Sequence, residues 1–124
     1  MPTNSELINR FVSCWQEKNV DKILDYFTDD AVYTNIPMDP PNVGKTEIRK
    51  IIAQFMGVAE AMEFVTHHQA ESAAGVVMNE RTDRFLVNGK WVELPVMGVF
   101  ELENGKIKAW RDYFDLGQFT SQMQ

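Results

Sequence analysis

VNGKWVELPVMGVFELENGKIKAW, residues 87–110, alternates apolar and polar side chains between two Asn-Gly pairs. Alternation at period two marks a strand buried on one face. Asn-Gly is the pair a two-residue hairpin turn favours, because both of its central positions take positive φ. The segment therefore reads as one long strand turned back at each end into an antiparallel neighbour. Working outward, strands are expected over 75–87, 91–102 and 106–115, with a fourth over 62–72. Upstream the texture is helical. Leu7, Ile8, Phe11, Val12, Cys14 and Trp15 recur at helical spacing behind Thr3, Asn4 and Ser5, all good capping residues. A second short helix is expected from Val20, with Ile23, Leu24, Tyr26 and Phe27 on its apolar side, and a third over 46–56. The third carries Ile48, Ile51, Ile52 and Phe55 on one stripe. Residues 31–36 form a strand stopped by Pro37 and the Pro40-Pro41 pair, and a helical turn over 118–123 closes the chain. Helices followed by a meandering antiparallel sheet specify an α+β fold. No repeat or linker interrupts residues 1–124, so a single domain is expected.

Bulk composition narrows the function classes. A formal charge of −6 argues against nucleic acid, which needs clustered Lys and Arg. No apolar run approaches the ~20 residues of a membrane span, and the first residues lack the basic-then-apolar order of a signal peptide. One cysteine, Cys14, rules out an internal disulfide and suits a reducing cytoplasm, the expected location.

Strand parity locates the chemistry. In the central strand Val92, Leu94, Val96, Gly98 and Phe100 share the face covered by helices. The other face carries Trp91, Pro95, Met97 and Val99 among Glu93 and Glu101, too apolar to stay wet, and is expected to form a homodimer interface. In the preceding strand Arg81 and Asp83 share a parity with Val77, Phe85 and Val87, while Glu80, Thr82 and Arg84 take the solvated side. In the last strand Asp112 stands between Trp110 and Phe114 on one face. This places Arg81, Asp83 and Asp112 together on the enclosed face, where one guanidinium can hydrogen-bond two carboxylates. Tyr33 and Asn35, two apart in the first strand, add a phenol and an amide able to hold a water molecule. The set matches what acid–base hydrolysis requires: one carboxylate to take a proton from water, another to give one to a leaving oxygen. Parity alone does not separate this reading from a structural Asp–Arg–Asp network.

The motifs VYTNIP (32–37), ERTD (80–83), MGVFELENGKI (97–107) and above all WRDYFDLGQF (110–119) resemble the limonene-1,2-epoxide hydrolase family, in order along nearly the whole chain. The resemblance implies a cone-shaped, curved antiparallel or mixed sheet packed on N-terminal helices, the cystatin-like, SnoaL-like, nuclear-transport-factor-like architecture. It also implies a homodimer and cofactor-free, metal-free opening of a small apolar epoxide, cyclic or terpene-type, in one step to a vicinal diol. By the same likeness Asp112 is the general base, Tyr33 and Asn35 position its water, Asp83 is the general acid and Arg81 couples the two. The implied pocket walls are Ile36, Phe85, Leu94, Val96, Phe114 and Phe119.

Rival readings are an isomerase of the ketosteroid-isomerase type and a non-catalytic, dimeric small-ligand-binding module on the same fold. Three other features carry less. GKT (44–46) matches the end of a phosphate-binding loop, but Asp39 stands where that motif needs its first glycine. His67 and His68 are adjacent and would point to opposite faces of a strand, so they share no metal. Cys14, on an apolar helical stripe, reads as a small core residue.

Overall fold

The computed structural model describes residues 2–38 and 40–124, so Asp39 of the phosphate-loop comparison lies outside the described residues. Helix α1 (Asn4–Cys14) starts at Thr3, whose hydroxyl accepts from the Glu6 amide at 3.1 Å, and buries Ile8, Phe11, Val12 and Cys14. A single 3₁₀ turn carries Trp15, Lys18 then takes φ 54°, and α2 (Val20–Leu24) begins behind the Asn19 cap. Helix α2 is shorter than its apolar spacing suggests. Phe27, expected on that helix, instead opens strand β1 (Phe27–Asn35), where it pairs with Ile107 of the last long strand. The alternation of Phe27, Ala31, Tyr33 and Asn35 toward the interior decides the matter.

A two-residue strand β2 (Asn42–Val43), not foreseen, folds back on β1, and α3 (Lys45–Val58) follows Gly44. Gly44 caps that helix at φ 87°, as glycine tolerates. Four long strands come next: β3 (Ala61–Glu71), β4 (Val77–Val87), β5 (Lys90–Glu103) and β6 (Lys106–Tyr113), before α4 (Leu116–Met123). Both Asn-Gly turns form as read, with Asn88 and Gly89 at φ 51° and 74°, and Asn104 and Gly105 at 51° and 79°.

The six strands form one sheet in the order β2-β1-β6-β5-β4-β3. All neighbours are antiparallel except β1 and β6, which run parallel with α3 and four strands between them in the chain, so the sheet is mixed. The register shifts at Thr66/His68 and Glu101/Leu102 set two residues against one, as β-bulges do, and a wider irregularity separates Phe27 from Val32 on β1. Pro95 lies beyond the end of the β5–β6 ladder, which stops at Met97 opposite Tyr113, an edge position where proline is tolerated.

The core is aromatic at its centre. Phe11 of α1 meets Trp15, Tyr26, Phe27, Phe100 and Trp110 edge-on, with centroids 5.1–6.0 Å apart. Trp110 is itself stacked between Tyr33 at 4.1 Å and Phe100 at 5.4 Å. Such pairs hold rings in fixed orientation beyond what burial of their area alone would do. Cys14 sits in this core, its thiol donating to the Phe11 carbonyl at 3.1 Å and pushed up to about 11 by burial, so it is an inert packing residue.

Candidate functional site

The sheet lays the site out in two transverse rows. Val77, Phe100, Trp110 and Tyr33 stand side by side on β4, β5, β6 and β1. Two residues along, on the same face, come Asn79, Gly98, Asp112 and Asn35. Arg81 and Asp83 follow on β4, opposite Val96 and Leu94. Period-two geometry alone points all of these side chains toward the helices.

Arg81 is fully buried, and described residues satisfy each of its nitrogens. Nε donates to Asp83 Oδ1 at 3.0 Å and Nη2 to Asp83 Oδ2 at 3.0 Å, a bidentate fork. Nη2 also donates to Asp112 Oδ2 at 2.9 Å, and Nη1 to Asn79 Oδ1 at 2.9 Å. To reach Asp112 on β6 the guanidinium crosses β5 directly over Gly98. A Cβ at Gly98 would lie 2.4 Å from Arg81 Nη1 and 2.9 Å from Asp112 Oδ1. The strand's glycine is the opening through which the charge network passes.

The remaining contacts anchor the network on both sides. Asp112 Oδ1 accepts from Trp110 Nε1 at 2.7 Å, and the stacked Tyr33 hydroxyl donates to Asn35 Oδ1 at 3.2 Å. Asn79 donates through Nδ2 to Gln69 Oε1 at 3.1 Å, and Gln69 donates in turn to the Ser5 carbonyl and hydroxyl at the start of α1. Burial pushes the Asp112 carboxyl up to about 6, the Arg81 guanidinium opposing and Asp83 reinforcing the shift. The Tyr33 phenol is driven well above its ordinary value by burial and by Asp112, so it stays a proton donor. Burial works against the Arg81 cation, but Asp112 and Asp83 raise it further above its already high value.

Tyr33, Asn35, Asp83 and Asp112 reach an otherwise apolar cavity, about 30 Å³ in volume, while Arg81 lies behind its wall. Of the expected wall residues, Phe85, Leu94, Val96, Phe114 and Phe119 line it. Ile36 does not. It follows the last residue of β1, has the opposite parity from Tyr33 and Asn35, and is 40% exposed. Trp15, Phe55, Met62 and Phe64, from the helices and β3, and Met38 complete the wall. Trp15 stacks on Phe64 at 4.8 Å, and its Nε1 is the one buried side-chain polar atom without a partner among the described residues.

Asn79 and Gln69, and the part played by Gly98, escaped the sequence reading. Asn79 shares its parity with Arg81 and Asp83, so alternation alone could have found it. Gly98 had a signal as well, since glycine inside a strand of Val and Phe marks a close approach. His67 sits at the β3 bulge with Nε2 2.8 Å from the Thr82 hydroxyl, a local bond. Among the described residues no group of three or more His, Cys, Asp or Glu is placed to hold a metal.

Comparison with known proteins meets this geometry. Epoxide hydrolase EphG of Mycobacterium tuberculosis is 29% identical over 109 residues, covering 88% of this chain and 71% of that protein. A solved M. tuberculosis LEH-like epoxide hydrolase superposes with a TM-score of 0.83 at 27% identity, over 97% of this chain and 89% of that one. An ntf2-like protein of unknown function from Burkholderia pseudomallei shares the fold alone, with a TM-score of 0.86 at 18% identity over 100% and 99% of the two chains. The architecture is thus the curved, SnoaL-like and nuclear-transport-factor-like α+β fold. Residues 2–124 match the limonene-1,2-epoxide hydrolase catalytic domain, and the chain belongs to that family.

Proposed function

We propose that the chain is an epoxide hydrolase that adds water to an apolar epoxide in one step, without a cofactor. The observation that carries this reading is the single guanidinium shared by two carboxylates, both of which reach the same apolar cavity. A water held by Tyr33 and Asn35 attacks an oxirane carbon as Asp112 takes its proton. The ring C–O bond breaks as Asp83, the general acid of this reading, delivers a proton to the departing oxygen. The proton gained by Asp112 then returns to Asp83, and Arg81 keeps both groups in register throughout. An Asp112 carboxyl raised to about 6 is ionised at neutral pH yet far more basic than one in solvent, which suits a general base. Ring strain supplies the electrophile, so proton transfer and positioning are the protein's contribution. Each proton-transfer partner contributes ~10²–10⁴-fold.

Asp112→Asn and Asp83→Asn should each lose nearly all turnover while keeping the wild-type circular dichroism spectrum. Substantial residual activity in either sinks the assignment. With enzyme in excess over cyclohexene oxide in ¹⁸O-water, the diol should carry label after one turnover. Label that arrives only in later turnovers would indicate a covalent aspartyl intermediate instead.

The outer face of the sheet supports a homodimer in the same reading. Met97 and Tyr113, directly paired across β5 and β6, are each 45% exposed, and Met78 beside Val99 is 38% exposed. Trp91 on this face is covered by the Arg84 guanidinium at 4.3 Å, which Glu63 and Glu93 hold in place.

A further inference from the structure

The cavity that meets the carboxylates is small. Its 30 Å³ corresponds to about two or three water-sized groups. A second, larger cavity of about 220 Å³, room for on the order of fifteen such groups, adjoins it. The two share Met38, Phe55, Phe85 and Phe119 in their walls. These form an aromatic collar, with Phe85 stacked on Phe55 at 6.0 Å and edge-on to Phe119 at 6.5 Å. Beyond the collar the wall is made by Ile51 and Val58 of α3, Val87 at the end of β4 and Met123 of α4. Among the described residues, Gln54 is the single polar side chain there and no charged group lines the chamber.

Resting on the hydrolase reading, we infer that the outer chamber holds the hydrocarbon tail of the substrate. The chain then acts on elongated lipophilic epoxides that enter ring-first, in preference to compact ones. Three observations converge on that occupant. The inner cavity has room for the oxirane, a catalytic water and little else. The described side chains of the collar offer no hydrogen-bond partner, so a polar substituent at that point would be stranded, whereas a methylene chain passes at no such cost. The outer wall is apolar and continuous with the inner one, so each methylene placed in it leaves water.

The test is a series of terminal 1,2-epoxyalkanes from four to twelve carbons, assayed for diol. KM should fall about 2- to 4-fold per added methylene over the first several carbons and then level off as the chamber fills. Calorimetric titration with the matching 1,2-diols should give the same trend in Kd, independently of turnover. Val58 is 55% exposed at the end of α3, so Val58→Asp can place a charge at the chamber without opening the core. That variant should cut the ratio of kcat/KM for the twelve-carbon epoxide over the six-carbon one about tenfold. A flat KM across a series that is hydrolysed overturns the tail assignment and leaves the hydrolase reading standing. Diol formation from no member overturns both. A flat series together with a Val58→Asp change in gel-filtration volume would give the chamber to a second copy of the chain, and likewise overturn the inference.

Discussion

Gly98→Ala is the substitution that most directly probes the network. The glycine is not among those with positive φ, so alanine fits its backbone and the only obstacle is space. Its Cβ would lie 2.4 Å from Arg81 Nη1, 2.9 Å from Asp112 Oδ1 and 3.0 Å from Asn79 Oδ1. Ordinary contact needs about 3.5 Å, so the guanidinium must retreat by about 1 Å. It cannot do so while holding Asp112 at 2.9 Å and Asn79 at 2.9 Å together. Losing one hydrogen bond to a charged group costs about 1.5–3 kcal/mol, and overpacking adds about 1–3 kcal/mol. Against this, alanine restricts the unfolded chain, a gain of about 0.4–1 kcal/mol. The net destabilisation is about 2–5 kcal/mol, a fall in Tm on the order of 10 °C for a chain of this size. Displacing a catalytic group by about 1 Å lowers turnover on the order of 10²-fold. Thermal denaturation followed by circular dichroism and kcat/KM on an epoxide together give the readout. A Gly98→Ala protein with unchanged Tm and kcat/KM within about twofold of wild type would refute the claim that the network threads β5 there.

Other outcomes follow from the same contacts. Activity should show an acid limb near pH 6, because the proposed base, Asp112, would act in its ionised form and its carboxyl is raised to about 6; a limb in the ordinary carboxylate range would contradict the assignment. The sign for stability is set by the same shift: Asp112 holds its proton more tightly when folded, so its contribution is largest below its unfolded value of 3.8 and is lost as pH rises through about 6. Urea titrations of wild type and Asp112→Asn between pH 4 and 7 should differ in that slope. Trp110→Phe keeps the stack on Tyr33 but removes the 2.7 Å hydrogen bond that favours ionised Asp112, so the acid limb should move upward. Asn79→Ala leaves Arg81 Nη1 and Gln69 Oε1 without partners and should cost about 1–3 kcal/mol in chemical denaturation. Met97→Asp, at the centre of the exposed apolar face, should shift the gel-filtration volume from dimer to monomer; a wild-type chain already monomeric at micromolar concentration would remove the dimer reading.

How much of this was legible in the sequence depends on the range of the interaction concerned. The hairpins were legible because Asn-Gly at two places specifies φ locally, and the parity of β4, β5 and β6 followed from alternation. Phe27 was misplaced because Ile23, Leu24, Tyr26 and Phe27 satisfy helical spacing equally well, and only pairing with Ile107, eighty residues away in the chain, makes Phe27 a strand residue. The two-residue strand β2 carries too few side chains to have a period. Ile36 was grouped with Tyr33 and Asn35 by nearness in the motif, although its parity already pointed elsewhere. The outer chamber is set by how α3, α4 and the end of β4 approach one another, which no local pattern encodes.

The position of Arg81 bears on why the site is built across the sheet at all. Three buried ionisable groups carry a desolvation cost that their mutual attraction alone does not reliably offset. Here Arg81 donates four hydrogen bonds, three to the carboxylates and one to Asn79, and Asp112 accepts a further one from Trp110. A helix-borne triad would depend on rotamers of long side chains, whereas strands β4, β5 and β6 hold Arg81, Gly98 and Asp112 by backbone ladders on both sides. The carboxylates are therefore held in place before any substrate arrives, and no reorganisation of the network need accompany proton transfer. This arrangement makes the smallest side chain in the row as consequential as the charged ones: a single added methyl at Gly98 should disturb Arg81, Asp112 and Asn79 together, while a larger change at solvated Glu80 or Arg84 on the other face should leave turnover within about twofold of wild type.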